Sequence, residues 1–235
     1  MQDFSAAFGE AFRLLIELDK DLLEIVTLSL QVSLAAVGLA ALFGFPLGAL
    51  VAVARFPGRG AIILMMNALM GLPPVVVGLL VYLALSNAGP LGVLQLLYTP
   101  TAMIIAQCLL VTPIVAALTR QTIEDLRGEY EDQLRLFGLS RLSIALTLLW
   151  DGRYSLLTAL LAGFGRAVAE VGAVIIVGGN INHVTRVMTT AIALETSKGN
   201  LALALGLGIV LLLLAMLVNL LVLTLRVTAQ RTAYA

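Results

Sequence analysis

Long apolar stretches constrain this chain more than any other feature of its sequence. They run at about residues 25–54, 60–86, 101–119, 154–178 and 201–225 and carry few charges. Each is long enough to cross a hydrocarbon core of roughly 30 Å as an α-helix. Only 12% of all residues are charged, whereas a typical soluble domain has about 25%. We therefore predict an all-α integral membrane protein with about five transmembrane helices.

Basic residues beside these stretches predict the orientation of the chain. With the N-terminus outside, nine Lys and Arg side chains fall on the cytoplasmic side and four on the outer side. Cytoplasmic loops of membrane proteins carry an excess of Lys and Arg. We therefore expect the N-terminus outside, the C-terminus in the cytoplasm, a cytoplasmic segment at residues 120–153 and an outer loop at residues 179–200.

Residues 1–24 form a separate N-terminal segment. It holds six acidic residues but only two basic ones, which is the wrong sign for the start of a signal peptide. Apolar residues recur in it at helical spacing, which predicts a short amphipathic helix lying on the membrane face; a solvated stub is the alternative. The residues at that spacing are Phe4, Phe8, Phe12 and Leu15.

The cytoplasmic segment is the only long charged part of the chain. Within it, Leu126, Tyr130, Leu134 and Phe137 lie at spacings of four, four and three, which predicts one apolar stripe on a short helix. Gly138 then permits a sharp exit from that helix. A short exposed apolar stripe suits a groove on a protein partner, whereas a helix lying on lipid headgroups is the alternative.

A second amphipathic piece follows Gly138 and leads back into the membrane near Arg153. Helical spacing places its apolar residues on one face. These residues are Leu139, Leu142, Leu146 and Leu149.

This segment resembles a loop found in the permease subunits of ABC importers. Asp132 to Gly138 has the spacing of their E-A-A-x-x-x-G motif, and Leu148 holds the apolar position ten residues after the glycine. The chain departs from the motif in three ways. Asp132 stands for the glutamate, the next two residues are not alanines, and Asp151 stands where proline is usual.

Two further segments resemble the permeases for molybdate, tungstate and sulfate. MGLPPVVVGLLVYLALSNAGPLG, from Met70 to Gly92, is similar to their L-P-P-V-V-x-G and G-P-L-G run. GRAVAEVGAVIIVGGNINHVTRVMTTAIALETSKGN, from Gly165 to Asn200, is similar to their G-R-A-x-x-E-x-G-A and G-G-N-I segment. Its second half looks closest to the tungstate permeases. The resemblance runs in order over about residues 25–225.

The resemblance implies a fold, a function and a set of partners. It implies a single transmembrane permease domain over residues 1–235, of the type I ABC importer kind, in the cytoplasmic (inner) membrane of a prokaryote. Two copies would form a path by alternating access and import a tetrahedral oxyanion, tungstate in particular, with molybdate or sulfate left open. The partners would be two ABC ATPase subunits that hold ATP and Mg²⁺, an extracytoplasmic oxyanion-binding protein and membrane lipid.

The cytoplasmic segment would then be a coupling helix that docks on an ATPase subunit. This expectation follows from the resemblance rather than from composition or periodicity. It assigns ATPase coupling to Tyr130, Asp132, Leu134, Phe137, Gly138 and Arg141.

Candidates for the path or its gate lie in the second and fourth stretches. Pro73 and Pro74 lack an N–H and predict a kink near residues 69–71. Broken helices often line transport paths, and a packing kink away from the path is the alternative. Arg166 and Glu170 lie four apart on one predicted helix face, so they could line the path or lock helices together. The path candidates are Gly71, Pro73, Pro74, Gly78, Arg166 and Glu170.

Polar residues elsewhere suggest contacts. Asn180, His183 and Arg186 in the outer loop are candidates for contact with a docking protein or the arriving anion. His183 lies without other ligand types at metal spacing, so we expect a surface residue. A polar strip in the first stretch, and polar residues in the third, could bridge helices or meet a hydrated anion. They are Thr27, Ser29, Gln31, Ser33, Gln107 and Thr112.

Several kinds of chemistry have no counterpart in the sequence. It contains no G-x-x-x-x-G-K-[ST], H-E-x-x-H or G-x-S-x-G motif, and its zero net charge gives no reason to expect nucleic acid. We therefore expect a transport subunit, not an enzyme, without catalytic, cofactor-binding or metal-binding residues of its own. A secondary (ion-coupled) transporter and a membrane scaffold protein are the alternative functions. The former usually shows internal repeats, and none is visible.

Overall fold

The computed structural model describes residues 8–9, 12–13, 16–17, 19–136 and 138–233. Side chains are described at these positions except 131, 132, 135, 223 and 225–233. Most of the predicted N-terminal amphipathic helix, all of Phe137 and the side chain of Asp132 therefore lie outside the described residues.

Helices account for most of the described chain, and no strand occurs in it. A short 3₁₀ turn at Gly92–Leu94 lies between α3 and α4. The α-helices are α1 (Lys20–Val53), α2 (Arg59–Met70), α3 (Pro74–Leu85), α4 (Pro100–Glu129), α5 (Glu131–Leu136), α6 (Arg141–Asp151), α7 (Arg153–Val168), α8 (Gly172–Gly178), α9 (Met188–Lys198) and α10 (Leu201–Ala233).

Length and hydropathy allow three to five membrane spans among the described residues. α1, α4 and the Leu201–Val222 part of α10 are each long and apolar enough to cross a bilayer. Two bent pairs, α2 with α3 and α6 with α7, raise the number to five if each pair is one span. The predicted all-α class is thus confirmed, and the predicted number of about five spans is the upper end of this range.

α4 is longer than the third predicted stretch. The prediction ended that stretch at residue 119, but the helix continues to Glu129. Two features keep the extra turns helical, since Ile123 is fully buried and Glu124 pairs with Arg120 one turn earlier. The predicted cytoplasmic segment therefore begins inside a continuous helix.

The second stretch breaks where the prolines predicted a kink. α2 ends at Met70, Gly71 is its C-terminal cap, and α3 begins at Pro74. Pro73 has an extended backbone, with φ −64° and ψ 122°, because the ring of the following proline disfavours a helical conformation at the residue before it. The predicted kink is confirmed as a complete interruption of the helix.

The fourth stretch, predicted as one span over residues 154–178, is also interrupted. α7 ends at Val168 and α8 begins at Gly172. One carboxylate oxygen of Glu170 accepts a hydrogen bond from the backbone N–H of Ala173 at 2.9 Å. A side chain that accepts from the first turn of a helix favours a new helix start over continuation of the previous one.

The described residues divide into two compact units, each drawn from three segments of the chain. The first unit contains residues up to Ala36, Pro73–Gln107 and Ala167–Leu217. One of its apolar clusters joins α1, α9 and α10 through Leu22, Ile25, Met188, Ala191 and Leu207.

The second unit contains Val37–Leu72, Cys108–Arg166 and the residues from Val218 onward. One of its apolar cores joins α1, α4 and α6. The buried members of that core, named here the inner cluster, are Ala49, Ala52, Val53, Ile123, Ala145 and Leu148.

Candidate coupling segment and translocation path

The predicted coupling region folds as two short helices after α4. α5 occupies Glu131–Leu136, and Gly138 reverses the chain with φ +58°, a conformation that glycine adopts without strain. Ser140 then caps α6, because its hydroxyl accepts a hydrogen bond from the N–H of Ser143 at 3.2 Å. The exit predicted at Gly138 is therefore present.

The apolar stripe of this region faces the protein itself. Leu126, Tyr130 and Leu134 are partly buried and pack against the inner cluster. The expectation that these three form an exposed ridge is therefore wrong, because the neighbouring ends of α1 and α6 cover them. The fourth member of the stripe, Phe137, lies outside the described residues.

Exposed side chains of the coupling region lie on the other side of α5 and at the turn that follows. Leu136 is 86% exposed and Leu139 is 41% exposed. Gln133, Gly138 and Arg141 are exposed as well. A short helix that is anchored by Tyr130 and Leu134 thus presents a small, mixed apolar and polar surface.

Three arginines line a cavity of about 410 Å³ beside this turn. They are Arg55, Arg127 and Arg141, and Gly138 and Leu134 contribute to the same wall. The sequence indicated Arg141 as a coupling residue, but it gave no reason to place the other two beside it.

Arg127 has a second role at the end of α1. Its Nη1 atom donates hydrogen bonds to the carbonyl oxygens of Ala52 and Val53, at 3.1 and 3.0 Å. The last turn of α1 has no basic residue of its own, so Arg127 supplies the cation that favours a helix C-terminus. Arg59 and Arg120 both pair with Glu124, which ties the start of α2 to α4.

The half-helices α3 and α8 pack closely against each other in the first unit. A Cβ atom added at Gly78 would lie 2.7 Å from the Cα of Ala173, and one added at Gly172 would lie 2.9 Å from a methyl group of Val75. Only glycine permits these approaches, so the path candidate Gly78 has a packing role.

The prediction that Arg166 and Glu170 share one helix face is wrong. Arg166 lies in the last turn of α7, whereas Glu170 lies beyond its end at Val168. Glu170 is 3% exposed, and its carboxylate caps α8 through Ala173. The spacing argument fails because the helix ends between the two residues.

Side chains from two other helices hold the backbone at this interruption. Gln107 of α4 donates from Nε2 to the carbonyl oxygen of Ala167 at 3.1 Å. Thr189 of α9 donates to the carbonyl oxygen of Glu170 at 2.7 Å. An interruption at membrane depth is tolerated where such donors satisfy the carbonyl groups that the helix no longer bonds. Sequence reasoning missed Thr189, which carries no signal beyond being polar beside an apolar stretch.

Residues of the predicted polar strip and of the third stretch also bridge or bond locally. The hydroxyl of Ser29 accepts from the N–H of Met188 at 2.7 Å and donates to the carbonyl oxygen of Ile25. Thr112 instead donates to its own helix, at the carbonyl oxygen of Cys108. Ser29 and Gln107 thus bond to other segments of the chain, whereas this hydrogen bond of Thr112 stays within its own helix.

The predicted outer loop places His183 and Arg186 beside the start of α1, whereas Asn180 bonds α9. Asn180 and His183 both have positive φ, at 51° and 57°, a backbone conformation that residues other than glycine seldom adopt. Asn180 donates from Nδ2 to the carbonyl oxygen of Thr190 at 3.3 Å, and Arg186 donates to the side-chain oxygen of Asn182 at 2.8 Å.

His183 is exposed, as predicted, but it has an acidic partner. Its Nδ1 atom lies 2.8 Å from a carboxylate oxygen of Glu24. That hydrogen bond and the charge of Glu24 raise the pKa of His183 above 6.5; Asp21 adds to the effect, and burial and Arg186 oppose it. Asp21, Glu24 and His183 offer ligand atoms within 4.8 Å of one another, so among the described residues they are a group that could hold a divalent cation.

Comparison with known proteins identifies the family. Residues 44–227 match the family model described as binding-protein-dependent transport system inner membrane component. The chain is 38% identical, over 96% of its own length and 99% of the relative's, to the tungstate uptake system permease protein of Peptoclostridium acidaminophilum. It is 42% identical, over 77% of its length and 80% of the relative's, to a probable anion ABC transporter permease protein of Haloferax volcanii.

More distant relatives transport other oxyanions. A sulfate transport system permease protein of Escherichia coli is 29% identical over 75% of this chain and 63% of its own length. The order of these similarities agrees with the motifs at Met70–Gly92 and Gly165–Asn200. The chain therefore belongs to the family of binding-protein-dependent transport system inner membrane components, and it is an ABC transporter permease of the oxyanion group with the type I fold.

Proposed function

We propose that this chain is the membrane subunit of an ATP-driven importer for a tetrahedral oxyanion, tungstate in particular. The observation that carries the proposal is the 38% identity to a tungstate permease over nearly the full length of both chains. A second tungstate permease, from Campylobacter jejuni, is also 38% identical over 83% of this chain and 82% of its own length.

ATP hydrolysis takes place in a separate subunit, and the coupling region receives its movement. The exposed surface at Gln133, Leu136, Gly138, Leu139 and Arg141 docks on the ATPase. Tyr130 and Leu134 anchor this surface to the inner cluster, so displacement of α5 is transmitted to the ends of α1 and α4. Asp132 and Phe137 belong to the same docking segment.

Two copies of the chain enclose the path and alternate between outward and inward access. Two-fold pairing is the commonest symmetry of soluble oligomers, and a path at the interface of two copies needs no large cavity within one chain. The interruptions at Gly71–Pro73 and beside Glu170 form the moving parts, and Gly78 lies where α3 packs against α8. The excess of basic residues on the opposite side supports an N-terminus outside, and in that orientation Asn180, His183 and Arg186 face the oxyanion-binding protein.

Co-purification with the ATPase tests this function most directly. We expect a complex of permease and ATPase whose hydrolysis rate rises when the binding protein and tungstate are added together. A permease that transports tungstate without ATP would instead be a secondary transporter.

Gly138→Trp tests the docking segment, and Gly199→Trp is its matched control. Both glycines have positive φ and open space around the position of a Cβ atom, so both substitutions impose similar backbone strain. We expect Gly138→Trp to weaken ATPase association and Gly199→Trp, in the outer loop, to leave it unchanged. Equal association of both variants would refute docking at Gly138.

The choice among tungstate, molybdate and sulfate is tested on the binding protein. Its affinity for the three anions, measured by calorimetry, should be highest for tungstate. A preference for sulfate would transfer the proposal to that anion and leave the importer mechanism intact.

A further inference from the structure

The second amphipathic piece of the cytoplasmic segment has an uncovered apolar face. On α6, Leu142 is 62% exposed, Leu146 is 59% exposed and Trp150 is 69% exposed. These residues are spaced by four, so they form one continuous stripe along the helix. The opposite face of α6 is occupied, because Ala145 and Leu148 are buried in the inner cluster. Leu149, which was predicted to share the face of Leu142 and Leu146, packs against the inner cluster instead.

A cation and two aromatic rings lie together at the C-terminal end of this stripe. The guanidinium carbon of Arg153 lies 4.7 Å from the ring centre of Trp150 and 4.6 Å from that of Tyr154. Its Nη1 atom donates to the carbonyl oxygen of Trp150 at 2.7 Å. Arg153 is exposed and Tyr154 is 40% exposed, so the guanidinium is held in place while its outer edge is open to a ligand.

The bend between α6 and α7 sets the orientation of the stripe. The two helices meet at 77°. If α7 crosses the bilayer, α6 must run nearly parallel to the membrane plane. Trp and Tyr are enriched at the depth of the lipid headgroups, and Arg side chains there reach toward phosphate. An amphipathic helix in that position buries its apolar face at the boundary between headgroups and acyl chains.

We propose that α6 lies in the headgroup layer, with Leu142, Leu146 and Trp150 toward the acyl chains and Arg153 bound to a phospholipid phosphate. Arg153, just beyond the end of α6, matches the negative charge of a phosphate. The assignment to the cytoplasmic leaflet rests on the proposed function. The proposal gives the cytoplasmic segment two surfaces. The turn around α5 faces the ATPase, and the outer face of α6 faces lipid.

Trp150 is the single tryptophan of the chain, so its fluorescence reports on α6 alone. The full-length permease is placed in lipid vesicles whose phospholipids carry bromine atoms at chosen depths along the acyl chain. We expect strong quenching by bromine near the headgroup, weaker quenching by bromine near the chain end, and little quenching by acrylamide from the water. Addition of the ATPase should leave all three unchanged.

Three other results would overturn the proposal. Quenching by acrylamide without quenching by lipid would place the stripe in water. Strongest quenching from the chain end would place it in the hydrocarbon core. Protection from both quenchers would mean that a second copy of the chain, or the ATPase if protection needs its addition, covers the stripe.

Arg153→Gln tests the phosphate contact without removing the reporter. Loss of the anchoring cation should shift the depth of strongest quenching toward the chain end, while the stripe itself remains in the membrane. An unchanged depth would show that Arg153 does not bind phosphate. Arg55→Gln is the control, because Arg55 is an exposed arginine that lines the neighbouring cavity but does not contact the rings.

A second reporter separates this proposal from the docking of the ATPase. In the variant Trp150→Phe/Leu136→Trp, the tryptophan lies on the exposed side of α5. We expect acrylamide to quench it, brominated lipid to leave it unaffected, and the ATPase to shield it. Failure of this arm alone would count against docking on α5 and leave the lipid-facing role of α6 standing.

Discussion

At the scale of single residues, a few side chains donate hydrogen bonds to backbone carbonyl oxygens that have no partner within their own helix. Arg127 does so at the end of α1, where two carbonyl oxygens accept hydrogen bonds from one of its nitrogen atoms. Such a cation at a helix C-terminus contributes both a charged hydrogen bond and a favourable interaction with the helix dipole.

Arg127→Met is expected to lower the free energy of unfolding by about 1–2 kcal/mol, because it removes both terms. Thermal unfolding in nanodiscs measures the change. Arg141→Met is the control, since Arg141 is exposed and lines the same cavity. A loss of stability no larger than that of the control would show that Arg127 does not cap α1.

Gly78→Ala is expected to destabilise the first unit by about 1–3 kcal/mol, because the new methyl group forces the α3 and α8 backbones apart. Gly38→Ala is the matched control, as a Cβ atom there meets nothing within 4 Å. Thermal unfolding of the two variants gives the comparison. A stable Gly78→Ala variant would mean that the two half-helices can separate without cost.

His183 gives the chain a pH-dependent contact outside the membrane spans. Because Glu24 raises the pKa of His183, the protonated pair stabilises the folded state fully below pH 6.5, and the stabilisation disappears as pH rises through the raised value. We expect the melting temperature to fall over that window. In Glu24→Gln the fall should be absent, and an unchanged pH profile in that variant would assign the effect to another group.

At the scale of elements, two of the apolar stretches are interrupted, whereas two helices continue through a proline. Pro46 lies inside α1 and Pro113 lies inside α4, and both helices continue through them. The second stretch breaks instead because two consecutive prolines follow Gly71, so neither can donate to the preceding turn. A pair of consecutive prolines therefore interrupts a helix here, whereas each single proline is accommodated.

The double substitution Pro73→Ala/Pro74→Ala is expected to reduce oxyanion uptake strongly, because alanine allows α2 and α3 to join and removes a moving part of the path. Uptake of tungstate into proteoliposomes with ATP inside measures the effect. Pro113→Ala should retain uptake. Normal uptake by the double variant would assign the interruption to packing rather than to transport.

At the scale of the whole molecule, polar side chains near the Glu170 interruption already bond the backbone. Ser29, Gln107 and Thr189 donate to backbone carbonyl oxygens, so these donors are already used within the protein. We therefore expect the membrane chain to discriminate little among tetrahedral oxyanions.

Selectivity of uptake should accordingly follow the binding protein. The proposed tungstate-binding protein can be replaced with one that prefers molybdate but keeps the surface that docks on the permease. This exchange should change the anion that stimulates ATP hydrolysis. Hydrolysis rates with each anion provide the measurement. Stimulation by tungstate alone with both binding proteins would place selectivity in the membrane chain.

The sequence by itself determined the class of fold, the family and the positions of the main signals. Apolar length specifies spans because lipid offers no hydrogen bonds to an open backbone, and Pro73, Pro74 and Gly138 act through local conformational limits that need no partner. These features were predictable because each depends on residues adjacent in the chain.

Only the tertiary structure decided which faces are covered and where helices end. The stripe through Leu126, Tyr130 and Leu134 turns inward because α1 and α6 supply the inner cluster. The chain is interrupted beside Glu170 because Gln107 and Thr189 donate to backbone carbonyl oxygens there, while the Glu170 carboxylate accepts from the N–H of Ala173. Helical periodicity identifies an apolar face, but burial of that face depends on contacts between residues far apart in sequence.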